Sequence, residues 1–328
     1  MNRVRKNSPL CIGLYCIIMI VLLYIVLIYL NPRTHSTISS FLLSRSSILT
    51  LPSEELCYAS EYDTFPRDHL RPLVIQTLTN TSCYANEIDI SKQTIISSNF
   101  TNLADFIVHV RKAFVSLPLR VRTRPIPTIF HRPPYKDMVK PSCDGLWMEF
   151  GVFRGASLTL TANWKATYCN HTTQPVYGFD TFQGLPTNWR PGFGRGKFDI
   201  GNKTKLKVPD NTVLVKGLFI DTLPGQLRTI DRQYKCHTPV SFVHIDCDIY
   251  DGARDVLFLL SNRFVKGSII VFDELFNYPD FEKHEIKALY EFLIGSNLQL
   301  IPLGTNGPIH LMPKRDKGAQ AFAFVVAS

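Results

Sequence analysis

The sequence predicts a doubly wound α/β domain, built on a mostly parallel seven-stranded sheet and preceded by one membrane-spanning helix. Three observations predict it. Residues 9–30 are apolar and carry no charge. From residue 145 onward, short apolar runs alternate with segments of helical spacing, the pattern of strands joined by crossover helices. The short runs are apolar throughout, as strands are when helices cover both faces of a sheet.

The 328 residues are 45% hydrophobic and 19% charged, enough for one large domain with attachments. Pro9 to Leu30 reads PLCIGLYCIIMIVLLYIVLIYL. About 20 apolar residues in a helix cross a bilayer. A cleaved leader has a shorter run and a small-residue cleavage site, and a core helix keeps a polar stripe. Arg3, Arg5 and Lys6 precede the run and only Arg33 follows it closely. Residues 1–8 are therefore expected in the cytosol and the rest in the lumen of the Golgi or endoplasmic reticulum, as a single-pass type II protein.

The acceptor triplets Asn80-Thr81-Ser82, Asn99-Phe100-Thr101, Asn170-His171-Thr172 and Asn202-Lys203-Thr204 agree with luminal exposure. Cys11 and Cys16 lie in the span; Cys57, Cys83, Cys143, Cys169, Cys236 and Cys247 lie beyond it. Some of these are expected to pair in an oxidising lumen, Cys57 with Cys83 first, and no Cys/His spacing suggests zinc. The formal net charge of +9 is spread without a basic stripe. That excludes nucleic acid as a partner and leaves a mild preference for anionic substrates or membrane surfaces.

Residues 31–140 read as a luminal stem and N-terminal extension, with Ser, Thr and Leu dominant to about residue 60. Within the extension, Leu103 to Leu117 has helical spacing and should pack on the domain. Residues 123–141 hold Pro125, Pro127, Pro133, Pro134 and Pro141 and read as an extended connector. The domain, residues 141–328, then reads as strands at 146–150, 175–179, 212–216, 240–245 and 267–272. Helices are expected at 156–168, 223–230, 253–262 and 281–294. Two last strands, 298–303 and one within 321–326, should form an antiparallel pair. Residues 188–210, rich in Gly, Arg and Lys, read either as a lid over substrate or as a surface loop.

Ligands of such sheets bind beyond the carboxyl ends of the strands. After the first strand stand Gly151 and Gly155, whose turn lets a ligand approach the backbone. The second strand ends at Asp180-Thr181, and a carboxylate there can accept both ribose hydroxyls of a nucleoside or cap a helix. The fourth ends at His244-Ile245-Asp246-Cys247-Asp248 and the fifth at Asp273-Glu274. Asp246, Asp273 and Glu274 should share one rim, where they repel unless a cation, Mg²⁺ first, neutralises them. Asp248 and Asp251 fit the ordinary role of capping the next helix.

The strings EFGVFRGASL, VYGFDTFQGLP, LVKGLFIDTLP, HIDCDIYDGARDVL and GSIIVFDELFNY, in order over residues 145–295, resemble the macrocin O-methyltransferase family. These are class I, Rossmann-like enzymes that use S-adenosylmethionine to methylate sugar hydroxyls. The resemblance implies S-adenosylmethionine and Mg²⁺ as cofactors. It implies cofactor contacts from Glu149, Gly151, Val152, Gly155, Ser157, Asp180 and Thr181. It implies metal ligation by Asp246, Asp273 and Glu274, with Asp246 also the general base. Glu274 stands where the family usually has Asp.

The expected acceptor is a glycan or small-molecule hydroxyl. Two other readings compete. Asp246-Cys247-Asp248 is a DxD triplet, as in Golgi glycosyltransferases that hold a metal and a nucleotide-sugar. A luminal scaffold that kept the fold without turnover is the other.

Overall fold

A computed structural model describes residues 94–115, 141–169, 174–201, 206–234, 236–307 and 318–327. All fall in the second of two compact units, Ser60–Ser328. The tail 1–8, the apolar run 9–30, the stem and most of the extension, with Cys57 and Cys83, lie outside the described residues. Among the described residues no helix is long and apolar enough to cross a membrane.

In chain order the elements are α1 (Leu103–Val115), β1 (Leu146–Phe150), α2 (Ala156–Cys169), β2 (Val176–Asp180), β3 (Thr212–Lys216), α3 (Phe219–Gln233), β4 (Val240–Ile245), α4 (Tyr250–Leu259), β5 (Phe264–Phe272), α5 (Glu285–Ile294), β6 (Leu300–Thr305) and β7 (Phe322–Val326). The seven strands form one sheet in the order β3-β2-β1-β4-β5-β7-β6. β1 to β5 pair in parallel, and β7 runs antiparallel to both of its neighbours. The mixed, mostly parallel sheet expected from the sequence is therefore present.

Alternate side chains along each strand enter separate cores on the two faces. Met148, Val243, Ile270 and Phe324 pack with α1, α3, α4 and α5. Trp147, Phe242, Ile269 and Val325 pack with Leu158 and Ala162 of α2. Every residue of β1, β4, β6 and β7 is buried, which is why these strands read as unbroken apolar runs.

Several boundaries differ from the sequence reading. α3 begins before Leu223 and contains Pro224; a proline favours a first helical turn, so spacing alone starts the helix too late. The start of the 281–294 segment is a short 3₁₀ turn, and the α-helix proper begins at Glu285. The described part of the extension packs on the domain, as its helical spacing leads one to expect. Ile96 exchanges two backbone hydrogen bonds with Leu300, at 2.8 and 2.9 Å. Asn102 caps α1 by accepting the Asp105 amide at 2.9 Å, and Phe114 of α1 sets its ring against Phe322 and Phe324 at 4.8 and 5.1 Å.

Two covalent or ionic ties hold the frame. A disulfide joins Cys143, ahead of β1, to Cys169 at the end of α2. Arg263, fully buried, makes a two-pronged pair with Asp231 of α3 at 2.9 and 2.6 Å. Removing one member of a buried pair strands the other charge. Asp231→Ala is expected to cost about 3–5 kcal/mol, read as a lowered midpoint of urea unfolding; a loss under about 1 kcal/mol would show that the pair does not hold α3.

Candidate active site

The registers of the parallel strands bring their carboxyl ends into line: Phe150 lies beside Phe179 and Ile245, and Ile245 beside Phe272. A cavity of about 870 Å³ opens along this edge, within the usual range for small-molecule sites. Gly151, Val152, Phe153 and Ser157 line it after β1, and Asp180 and Thr181 at the end of β2. Leu218, Phe219 and Ile220 follow β3, Asp246, Asp248 and Gly252 follow β4, and Asp273 and Glu274 follow β5. Of the residues singled out from the sequence, Glu149 and Gly155 alone do not reach its wall.

The turn after β1 is fixed by two devices. Gly151 has φ +94°, and a Cβ there would overlap the Asp246 carbonyl oxygen and lie 2.6 Å from its carbonyl carbon. The glycine is thus required by the passage of β4 as much as by any ligand. Asp180 is the second device. One carboxylate oxygen accepts the amides of Val152 and Phe153, both at 2.8 Å, and the other accepts the Phe182 amide at 2.6 Å. Phe153 and Phe182 both have left-handed backbones, at φ 49° and 56°, a conformation that costs non-glycine residues energy and needs outside support. The carboxylate supplies that support on both sides of the cavity. One oxygen has both lone pairs used, so Asp180 has room for one ribose hydroxyl rather than two.

Asp180→Ala should therefore weaken S-adenosylhomocysteine binding by about tenfold or more, through the loosened turns as well as the lost acceptor. Titration calorimetry checks this, and an unchanged dissociation constant would separate Asp180 from the ligand.

At the acidic end, one oxygen or nitrogen each from His244, Asp246 and Asp273 lie within 4.8 Å of one another. The histidine was not among the sequence candidates. Its signal was present, since in a strand residues two apart share a face and His244 stands two before Asp246. Glu274 lines the cavity but falls outside this trio. Its Oε2 is buried without a hydrogen-bond partner, and burial, then Asp246 and Asp273, push its carboxyl well up. Burial and Asp273 likewise hold the Asp246 carboxyl well above its usual range.

His244 is oriented from behind. Its Nδ1 lies 3.0 Å from Oε2 of the fully buried Glu149, whose Oε1 accepts the Ser157 hydroxyl at 3.0 Å. Glu149 and Ser157 therefore serve the histidine. Nε2 faces Asp273 at 3.9 Å, too far for a hydrogen bond, and is a buried atom without one. Burial alone would lower the imidazole pKa, but Asp273 and Glu149 outweigh it and raise it well above the usual value. A carboxylate–imidazole pair with an open second nitrogen, beside two carboxylates, is a fitting set for a divalent cation. With one nitrogen donor it suits Mn²⁺ at least as well as Mg²⁺, which prefers oxygens alone.

Asp248 does not cap α4: the cap is Ile249, without a side-chain bond. It is buried on the cavity wall with a left-handed backbone, φ 67°. Fully buried Glu285 holds it there, accepting the Asp248 and Cys247 amides at 3.2 and 3.4 Å. Burial raises the Asp248 carboxyl to about 7, against the opposing pull of Arg190. Asp251 does sit in the first turn of α4, paired with Arg254 at 3.3 Å.

Residues 148–275 match a protein-family model described as a methyltransferase domain. No curated protein matches the chain. Among solved structures, the calicheamicin methyltransferase CalS11 is 25% identical, with a TM-score of 0.40 over 56% of this chain and 72% of that one. The O-methyltransferase NovP is 18% identical, with a TM-score of 0.35 over 56% of this chain and 72% of that one. The matched segment runs from β1 past the end of β5 and holds every wall of the cavity named above. That match supports a methyltransferase over the nucleotide-sugar reading of Asp246-Cys247-Asp248.

Proposed function

We propose that this methyltransferase takes its methyl group from S-adenosylmethionine and places it on a sugar hydroxyl, with a divalent cation at His244, Asp246 and Asp273. The observation that carries the reading is the convergence of those three ligand atoms within 4.8 Å, two of them, from Asp246 and Asp273, on residues that line the cavity with the glycine turn. The likeness of five ordered strings to the macrocin O-methyltransferase family supports the sugar.

In this reading Gly151 to Ser157 flank the amino-acid part of the methyl donor. Asp180 accepts a ribose hydroxyl, and Leu218, Phe219 and Ile220 give the base an apolar wall. A bound cation supplies Lewis acidity, lowering the pKa of a hydroxyl that coordinates it. Glu149 accepts from His244 Nδ1, so a cation bound at the site would take the place of the proton on Nε2. Asp246 belongs to the ligand set, so the general-base role passes to Asp248 on the same wall. The acceptor O–C bond forms as the C–S bond of the donor breaks, the hydroxyl proton goes to Asp248, and neutral S-adenosylhomocysteine leaves. Fixing oxygen, carbon and sulfur in line contributes up to about 7–11 kcal/mol in ideal cases.

The luminal, membrane-anchored setting is part of the proposal. It is supported by the apolar run 9–30 with its positive flank, by the exposed Asn99 of one acceptor triplet, and by the Cys143–Cys169 disulfide.

The test is methyl transfer from labelled S-adenosylmethionine to a glycan panel by the purified chain, before and after EDTA. Label on a sugar oxygen, lost with EDTA and restored by Mn²⁺ or Mg²⁺, is expected. Turnover indifferent to EDTA would remove the cation. Stabilisation by UDP but not by S-adenosylhomocysteine would overturn the methyl-transfer reading and revive the nucleotide-sugar one; binding without turnover would favour the scaffold.

A further inference from the structure

Between β2 and β3 the chain lays an irregular segment against the cavity. Leu185 and Trp189 are buried in it, so its described part is packed in place as a wall. A tight turn closes it: the Trp189 amide donates to Phe193 at 3.0 Å, and the Phe193 amide to Arg190 at 2.8 Å. The turn places the Arg190 guanidinium among three rings, 3.9 Å from the centre of Trp189, 4.5 Å from Phe193 and 5.3 Å from Tyr278. Tyr278 is tied to the acidic end, since its hydroxyl donates to the Glu274 carbonyl at 3.1 Å, and Glu274 lines the cavity.

Aromatic faces hold a guanidinium in place without consuming its donors. Arg190 Nε is buried without a hydrogen-bond partner, and among the described residues no ion pair engages the side chain. A caged, partly desolvated cation with unspent donors is poised for an oxygen anion from outside the chain. Asp248 on the cavity wall feels its charge from within the chain, and the segment that carries Arg190 is itself basic. Arg195 and Lys197 follow on the same segment, with Lys197 Nζ 5.2 Å from the Phe193 ring. Of its two carboxylates, Asp199 accepts the Gly201 amide at 2.7 Å, and Asp210 stands two residues before β3.

We propose that Arg190 recognises the acceptor, and that the acceptor is a sugar carrying an anionic oxygen group: a carboxylate, a sulfate ester or a phosphate ester. The rings hold the guanidinium in place while it takes the anion. This rests on the sugar-methylation reading above and narrows its substrate class.

The test is calorimetric binding of glucuronate, glucose 6-sulfate, glucose 6-phosphate and, as neutral control, glucose to the full chain saturated with S-adenosylhomocysteine. At least one anionic sugar should bind about tenfold or more tightly than glucose, and the tightest names the group. Arg190→Gln should erase the preference with S-adenosylhomocysteine affinity unchanged, which also shows that the variant is folded. Arg190→Lys should restore part of it. Equal binding of all four sugars, binding of none, or a preference that survives Arg190→Gln would overturn the proposal. Methylation of neutral glycans without anion preference would sink this inference alone; an anion preference without methyl transfer to any acceptor would sink the function and leave the site.

Discussion

Asp246→Ala is expected to lower turnover by a factor on the order of 10³ or more, while S-adenosylhomocysteine binds within about threefold of the unaltered protein. The asymmetry follows from the geometry. The Asp246 backbone forms part of the turn behind Gly151, and the substitution keeps that backbone. Its carboxylate belongs to the trio with His244 and Asp273, away from the Asp180 clamp. Burial and Asp273 both disfavour its charged form, against the opposing pull of His244, and a cation beside it would favour ionisation further. Under the proposed function, a cation there would lose one of three protein ligands and the acceptor hydroxyl its activation. Single-turnover rates and Mn²⁺ binding, measured beside S-adenosylhomocysteine affinity, check the prediction. Turnover within about tenfold of the unaltered protein would take Asp246 out of the reaction, and a parallel collapse of S-adenosylhomocysteine affinity would make its role structural.

Gly151→Ala should be the most damaging single methyl group in the domain. A Cβ at this position meets the Asp246 carbonyl, a backbone group directly after the central strand β4 that cannot swing aside as a side chain would. The backbone there, at φ +94°, is also one that an alanine enters only with strain. Either β1 and β4 part, breaking the bond by which the Asp246 amide reaches Phe150, or the turn rebuilds and the cavity closes. Overpacking alone costs about 1–3 kcal/mol, and the positive φ adds about 1 kcal/mol or more. We expect a loss of about 3 kcal/mol or more in urea unfolding, together with loss of S-adenosylhomocysteine binding. Gly192, with nothing within 4 Å of its Cβ position and φ +84°, is the control. Alanine there carries the backbone strain alone, and similar losses at both positions would show that the contact with Asp246 is not what matters.

The sequence by itself determined the order of strands and helices, because a sheet covered on both faces must be built from unbroken apolar runs and its crossovers from helices. It also located the rim, since strand ends in such sheets carry the ligand, and Gly151, Asp180, Asp246 and Asp273 were legible as residues that follow strands. What those residues touch was decided only by tertiary structure. Asp180 clamps two left-handed turns, and Glu149 orients a histidine 95 residues away. Glu285, from a helix beyond β5, holds the Asp248 turn. Arg190 meets Tyr278 across 88 residues of chain. The reason is range: periodicity and strand-end position are local properties of the chain, whereas the partner of a buried polar group is set by packing between segments far apart in sequence. The trio shows both halves, with two carboxylates read directly from strand ends and a histidine inside β4 that became a candidate ligand only when Glu149 turned its free nitrogen toward them.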